Sequence, residues 1–379
     1  MKKIFYISLI ICYSIFSLSP KVFANETSVP EISAPSALLM DYATGKVIYE
    51  KNPDEKLPLA SVTKIMTMLL AMEEIEKGRM NYDDIITATA HAKSYGGSTI
   101  FLDEGEQMSV RDILKGIAVA SGNDAAVAMG EHISGTEALF VDRMNKRAEK
   151  LGMKNTHFVN CNGLDADGHY STARDIAIMS RELMKHKDIF SFTSIWMDSL
   201  RNGEFTLSNT NKLVRFYDGC TGLKTGSTSK AKFCISATAK RGDMHLIAVI
   251  MAAETSKQRQ ADASTLLNYG FSSYSCENVI KKDTRVAKMK IAKSSVKSVD
   301  IVTDSGYDYL KKKTDEAKIE AKKKLKKAKA PIKKGDEAGT LTIIINGEEK
   351  EKIKLVYSND APKAGYLFVL KNLLSDYIS

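Results

Sequence analysis

The stretch LPLASVTKIMTMLLAM, residues 57–72, is apolar on nearly every side and predicts a buried helix over 61–75. Before it, SALLMDYATGKVIYEKN (36–52) reads as a strand, a Thr44-Gly45 turn and a second strand. After it, VRDILKGIAVA (110–120) has helical spacing and is interrupted by SGND at 121–124, where Asp124 is placed to cap a helix reaching about His132. GTEALFVDRMNKRAEKLG (135–152) predicts an amphipathic helix ended by Gly152. STARDIAIMSRELMKH (171–186) predicts another, with Ser171 as its N-cap. The period then changes. TGLKTG is short and extended, and KFCISATAK, RGD and MHLIAVIMA predict strand, turn and strand, with a last helix over 257–269.

A body that opens with a hairpin, turns helical and returns to strands predicts one sheet built from both ends, with helices packed on it. A boundary falls near 273–280, after LLNYGFSSY. Beyond it, TLTIIINGEEKEKIKLVYS alternates around Asn346-Gly347, a strong hairpin signal. KKKTDEAKIEAKKKLKKAKAP (311–331) is ambiguous: its composition favours helix, whereas Pro331 and the hairpin after it favour strand. Residues 281–360 are read as a small β-rich domain. The final KAGYLFVLKNLLSDYIS is apolar at 366, 369, 370, 373, 374 and 377, an amphipathic helix too short to span a bilayer. Its pattern suits lying at a membrane surface or packing on the β domain equally well.

The 379 residues suffice for two domains. Lys2, Lys3, an apolar run from Ile4 to Leu18, and Val22 and Ala24 at the −3 and −1 positions form an export signal, with cleavage expected after Ala24. That run is shorter than the ~20 residues of a spanning helix. Export permits disulfides, and Cys220 and Cys234 could flank one hairpin. Free thiols are expected at these positions and at Cys161 and Cys276, whose spacings match no zinc pattern. The net charge of +9 divides unevenly: residues 25–280 carry −4 and residues 281–379 carry +10. For an exported chain, the anionic neighbours of such a tail are lipid head groups or wall polymers, not nucleic acid. A merely solvated lysine-rich surface explains it as well.

Three stretches carry candidate chemistry. In Ser61-Val62-Thr63-Lys64, a lysine one helical turn after a serine can take its proton if burial keeps the amine partly neutral. In Ser121-Gly122-Asn123, a loop hydroxyl and an amide can reach the same cleft. In Lys224-Thr225-Gly226, an ammonium and a hydroxyl can bind a carboxylate, while the glycine admits a substrate backbone to the strand edge. Taken singly, each reads more simply as ordinary structure: a cap with a snorkelling lysine, an interhelical turn, and a turn before a strand.

Together, in this order and in these contexts, the three resemble the S-x-x-K, S-x-N and K-T-G set of the low-molecular-weight penicillin-binding proteins, specifically the serine D-alanyl-D-alanine carboxypeptidases. SALLMDYATGKVIYEKN, ASVTKIMT, SGNDAAVA, NTHFVNCNGLDADGHYSTARD and LKTGST all read like that family, and APIKKGDEAGTL resembles its C-terminal β domain. The resemblance implies an α+β fold: a penicillin-binding/β-lactamase-like catalytic domain with an antiparallel sheet flanked by helices (25–275), a β-rich domain (276–360) and a membrane-associating helix (361–379), after a signal peptide (1–24).

It also implies roles. Ser61 attacks a peptidoglycan stem peptide ending in D-Ala-D-Ala, and Lys64 accepts its proton. The N–H groups of Ser61 and Ser227 form the oxyanion hole. Ser121 passes a proton to the departing D-alanine. Asn123 holds a substrate amide and orients Lys64. Lys224 and Thr225, with Gly226 beside them, bind the terminal carboxylate, and Arg259 falls where the family has an arginine near that pocket. β-Lactams are expected to acylate Ser61. No cofactor or metal is implied. None of the six histidines lies in an H-E-x-x-H or G-x-S-x-G context, and His169 is read as structural. Two other readings stay open. A class A β-lactamase shares the first motifs, but NCNGLDADGHYSTARD offers aspartates and no glutamate to activate a deacylating water. A non-catalytic β-lactam-binding sensor could use the same pocket.

Overall fold

The computed structural model describes residues 28–366 and 368. The proposed signal segment lies outside the described residues, as do 367 and 369–379 of the proposed C-terminal helix. Its start is corrected: 361–365 are not helical, because Ala361 bridges to Ile332 and Lys363 to Ser294 on the β-rich domain.

The first sheet unites the two ends of the body. Strand β1 (Ser36–Asp41) pairs antiparallel with β2 (Val47–Lys51) on one side and with β5 (Met244–Ala253) on the other. β4 (Lys232–Arg241) and β3 (Cys220–Thr228) continue outward, giving the order β2-β1-β5-β4-β3. Alternate residues of β1 serve different cores. Leu38 and Met40 face the helical layer, whereas Ala37 and Leu39 face helix α5 (Ser256–Ser273). β5 is apolar almost throughout because both of its faces are covered. Cys220 pairs with Ala239 and Cys234 with Gly226, so the two thiols lie far apart along the ladder and cannot bridge.

The helical layer contains α1 (Lys64–Glu76), α2 (Asn123–Ser134), α3 (Glu137–Lys150) and α4 (Ala173–Leu183). α1 is preceded by a 3-10 turn, Ala60–Thr63, so Ser61 sits on the tighter turn rather than on the α-helix itself. The 110–120 segment is an α-helix, Val110–Lys115, followed by a π-helical turn, Gly116–Ala120. α3 ends at Leu151 with Gly152 at φ +75°, as its pattern predicts.

Two capping expectations are corrected. Asp124 lies inside the first turn of α2, behind an N-cap at Gly122; its carboxylate accepts the N–H groups of Ile100, Leu102 and Ala125. Thr172, not Ser171, caps α4 by accepting from Asp175 N at 3.1 Å, while Ser171 pairs with Leu57 in an isolated bridge. The sequence pattern assigned nothing over 187–216. This region holds two short paired strands, Met197–Leu200 and Phe205–Ser208, and a helical turn, Leu213–Phe216.

After α5 the chain enters β6 (Tyr274–Ile280), which pairs with β9 (Tyr307–Lys312). β7 (Arg285–Lys290), β8 (Ser298–Thr303), β10 (Ile319–Leu325), β11 (Glu337–Ile345) and β12 (Glu348–Tyr357) form a second sheet, ordered β7-β8-β12-β11-β10. The ambiguous lysine-rich stretch thus contains an edge strand. Pairing of β10 with β11 overrides its helical composition. Lys322 and Lys324 stand opposite Thr342 and Thr340, which stand opposite Lys352 and Lys354. The positive charge is therefore set out in rows on the exposed face of this sheet, over an inner face of Leu341, Ile343, Ile353 and Leu355.

Candidate active site

The 3-10 turn that carries Ser61 is pressed between two glycines. A Cβ at Gly163, where φ is +91°, would lie 2.0 Å from the Ala60 carbonyl oxygen. A Cβ at Gly226 would lie 2.7 Å from Ser61 N and 2.9 Å from Val62 N. Strand β3 and the 160–164 loop can therefore approach the backbone of Ser61 only because these positions carry no side chain.

Lys64 is fully buried at the start of α1. Its Nζ donates to Ser61 Oγ at 2.8 Å, to Asn123 Oδ1 at 2.7 Å and to the Asn162 carbonyl at 2.6 Å. Loss of hydration lowers its pKa to about 7, despite opposing contributions from Cys161 and Asp124. A buried lysine with three acceptors and no carboxylate partner among the described residues can exchange a proton near neutral pH.

Ser121 follows the π-helical turn in a left-handed conformation, φ 67° and ψ 29°, and is buried. That kink ends one helix and starts the next within two residues, so Ser121 and Asn123 both lie at the junction. Asn123 is held on three sides. Its backbone N–H reaches Ser98 O at 2.7 Å, its Nδ2 donates to Gly96 O at 2.7 Å, and its Oδ1 accepts from Lys64. Asp124 ties the same 96–102 loop down through its bonds to Ile100 and Leu102.

Lys224, Thr225 and Gly226 lie on β3, the outer strand beside this junction. Lys224 is buried, and its pKa falls well below the lysine norm through burial and then through the charges of Lys64 and Arg259. Thr225 Oγ1 donates to Thr210 Oγ1 at 2.7 Å. Ser227, one residue on, is exposed. Arg259, on α5, donates to the carbonyls of Gly226 and Cys234 at 3.3 Å each, and burial lowers its pKa to about 10. In this conformation its guanidinium supports the strand from behind. Lys224 bonds the Thr225 carbonyl and Arg259 bonds carbonyls and the Ser256 hydroxyl, so among the described residues neither is neutralised by a carboxylate and the strand suits an incoming anion.

The sequence reading did not include Asn162, Thr210 or Gly163. Asn162 acts through its backbone carbonyl and Gly163 through an absent side chain, so neither carries a residue-type signal. His169 is structural. Its Nε2 bonds to Thr63 Oγ1 at 2.8 Å, and its Nδ1 accepts from Val159 N at 3.0 Å. A separate cavity of about 440 Å³ between α1, α3 and α4 is lined by Glu73, Arg147 and Glu182, whose charges are already paired with each other at 2.7 and 2.8 Å.

A serine bonded to a buried, near-neutral lysine that also bonds an amide, packed against a strand suited to an anion on a mixed α/β fold, is the arrangement of a serine acyl-transfer site. The comparisons agree. Residues 23–255 match the D-alanyl-D-alanine carboxypeptidase family, and residues 274–363 match the C-terminal domain of penicillin-binding protein 5. The chain is 44% identical over 380 residues to the D-alanyl-D-alanine carboxypeptidase DacF of Bacillus subtilis, covering 98% of this chain and 97% of that one. Penicillin-binding protein 5 from Haemophilus influenzae superposes with a TM-score of 0.73 at 30% identity, over 89% of this chain and 99% of that one. Penicillin-binding protein D2 from Listeria monocytogenes, in its ampicillin-bound form, gives a TM-score of 0.59 at 32% identity over 64% of this chain and 100% of that one. The chain belongs to the D-alanyl-D-alanine carboxypeptidases, the low-molecular-weight penicillin-binding serine carboxypeptidases.

Proposed function

We propose that this chain removes the terminal D-alanine from peptidoglycan stem peptides ending in D-Ala-D-Ala, through an ester on Ser61. The observation that carries the reading is the position of Lys64, bonded at once to Ser61, Asn123 and Asn162 with a pKa of about 7. Ser61 Oγ attacks the carbonyl carbon of the penultimate D-alanine, and its proton passes to neutral Lys64. The N–H groups of Ser61 and Ser227 take the developing oxyanion, for which two preorganised donors lower the barrier by several kcal/mol. Lys64 returns the proton through Ser121 to the departing nitrogen, the C–N bond breaks and D-alanine leaves. Water then adds to the ester, and the Ser61 oxygen departs with a proton.

The Asn123 amide binds the substrate backbone, and Lys224 and Thr225 take the terminal carboxylate. Gly226 leaves room for the peptide along β3, and Arg259 adds positive charge behind that pocket. A β-lactam enters by the same route and leaves Ser61 acylated.

The chain is proposed to act outside the cytoplasm, on the cell wall or the outer face of the membrane. Three features support this: the signal-like segment 1–24, the substrate itself, and an amphipathic pattern over 361–379 suited to a membrane surface. Among the described residues no helix is long and apolar enough to cross a membrane. The division into 25–275, 276–360 and 361–379 is part of this reading. Free D-alanine release from a pentapeptide, compared with Ser61→Ala, tests it. Binding of penicillin without D-alanine release would favour a sensor, and rapid turnover of a chromogenic cephalosporin would favour a β-lactamase.

A further inference from the structure

Glu137 takes no part in the reaction proposed above, yet its carboxylate is bonded to both sides of the cleft. It lies in the first turn of α3, with its side chain 12% exposed. Oε2 accepts from the Tyr95 hydroxyl at 2.6 Å. Oε1 accepts from the backbone N–H of Cys161 at 3.1 Å and from its thiol at 3.3 Å.

The residue after each anchor holds a residue of the site. Gly96, after Tyr95, presents the carbonyl that receives Asn123 Nδ2 at 2.7 Å. Asn162, after Cys161, presents the carbonyl that receives Lys64 Nζ at 2.6 Å. Lys64 Nζ and Asn123 Oδ1 then meet at 2.7 Å. The bonds close into a ring that runs from Glu137 through Tyr95 and Gly96 to Asn123, then through Lys64, Asn162 and Cys161 back to Glu137.

We propose that Glu137 is a positioning residue that sets the spacing of Lys64 and Asn123 by clasping the two loops that hold them. The physical case rests on what else holds those loops. Gly96 and Asn162 lie in irregular backbone outside the sheet ladders; Asp124 ties the first loop at Ile100 and Leu102 and Thr67 ties the second at the Cys161 carbonyl, but each of these bonds holds one loop only. A carboxylate makes roughly twofold stronger hydrogen bonds than a neutral acceptor. Its place in the first turn of α3 fixes the carboxylate on the helix that lies between the two loops. On its outer side stands His91, with Nε2 at 3.8 Å from Glu137 Oε2 and Nδ1 at 2.8 Å from Glu131 Oε1. No other carboxylate among the described residues bridges the two loops.

The inference rests on the serine acyl-transfer reading. The two are separable, because wild-type acylation and D-alanine release test that reading before any Glu137 variant is made. The experiment measures the second-order rate of acylation by a labelled penicillin, with kcat and KM for D-alanine release and a melting curve for each variant. Glu137→Ala is expected to lower acylation and kcat by about 10- to 100-fold, the scale of a misplacement near 1 Å, with KM nearly unchanged. Glu137→Gln, which keeps an acceptor for Cys161 N–H, recovers most of the rate.

In an Asn123→Ala background, where one end of the clasp holds nothing, Glu137→Ala costs a much smaller factor. A loss under about fivefold in the otherwise native chain, or the same factor in both backgrounds, overturns the proposal. If Glu137→Ala does not fold, Tyr95→Phe removes one hydroxyl from the ring and is judged by the same pair of criteria.

Discussion

The Asn162 carbonyl oxygen lies 2.6 Å from Lys64 Nζ, so the amine that faces Ser61 is fixed from behind by backbone rather than by a counter-charge. A carboxylate in that place would hold Lys64 protonated; a carbonyl orients it and leaves the proton free to move. Burial then lowers the lysine pKa to about 7.

This makes acylation pH-dependent in one direction. The neutral amine is the base, so the rate of penicillin acylation is expected to rise with pH through about 7 and level off above it. Stopped-flow acylation between roughly pH 5 and 9 measures the midpoint. A flat profile would sink the assignment of Lys64 as the base.

The two glycines against Ser61 should respond differently to an added methyl group. Gly163→Ala drives a Cβ into the Ala60 carbonyl at 2.0 Å from a left-handed backbone. It is expected to destabilise the fold by about 2 kcal/mol or more in urea unfolding. Gly226→Ala, with its nearest contact the Ser61 nitrogen at 2.7 Å, should fold but displace the oxyanion donor. Its acylation rate is expected to drop by about 10²-fold, the size seen when one such donor is lost.

Lys224→Met removes a buried ammonium whose pKa burial already depresses. The fold is expected to hold or gain stability, while D-alanine release falls about 10²-fold or more through lost recognition of the terminal carboxylate. Retained release with unchanged KM would show that the carboxylate binds elsewhere.

Two buried histidines should make the fold acid-sensitive. Burial lowers the pKa of both His169 and His245 to about 4. Each is neutral when folded and takes a proton more readily when unfolded. The stabilisation is full above about 6.5 and is lost as pH falls through about 4. Folding stability is expected to drop across that window by on the order of 3 kcal/mol per histidine, read as a falling melting temperature. His245→Phe should flatten part of the drop; if it leaves the slope unchanged, this histidine is not a source.

Deleting 363–379 is expected to release the protein from membranes while leaving D-alanine release by the soluble form intact. A truncated chain that still sediments with membranes would refute the anchoring role.

Much of the candidate site was legible because it rests on side chains of fixed type and order. Ser61, Lys64, Ser121, Asn123, Lys224 and Thr225 are such residues; the structure bonds Lys64 to Ser61 and Asn123, places Ser121 two residues before Asn123, and carries Lys224 and Thr225 on the strand that packs on Ser61 through Gly226. What stayed hidden works through groups that every residue carries. The carbonyls of Asn162 and Gly96 bear no mark of their use, and Glu137 looks like any acidic first-turn residue. In the fold, periodicity located the sheet and main helices. It misplaced caps by one or two residues where a neighbouring loop competes for the side chain, as Ile100 and Leu102 do for Asp124. The strand Ile319–Leu325 was obscured because a lysine-rich edge strand keeps one face in water and needs few apolar residues.

The pairing of Ser36–Asp41 with Met244–Ala253 also bears on how the enzyme comes into being. A chain emerging from the ribosome carries its nucleophile early, but the central strand of its sheet arrives some two hundred residues later. Contacts so distant in sequence form slowly and together. For a long stretch of its synthesis the polypeptide therefore holds Ser61 and Lys64 without the completed sheet behind them. Reactivity appears only when the last strand closes the sheet.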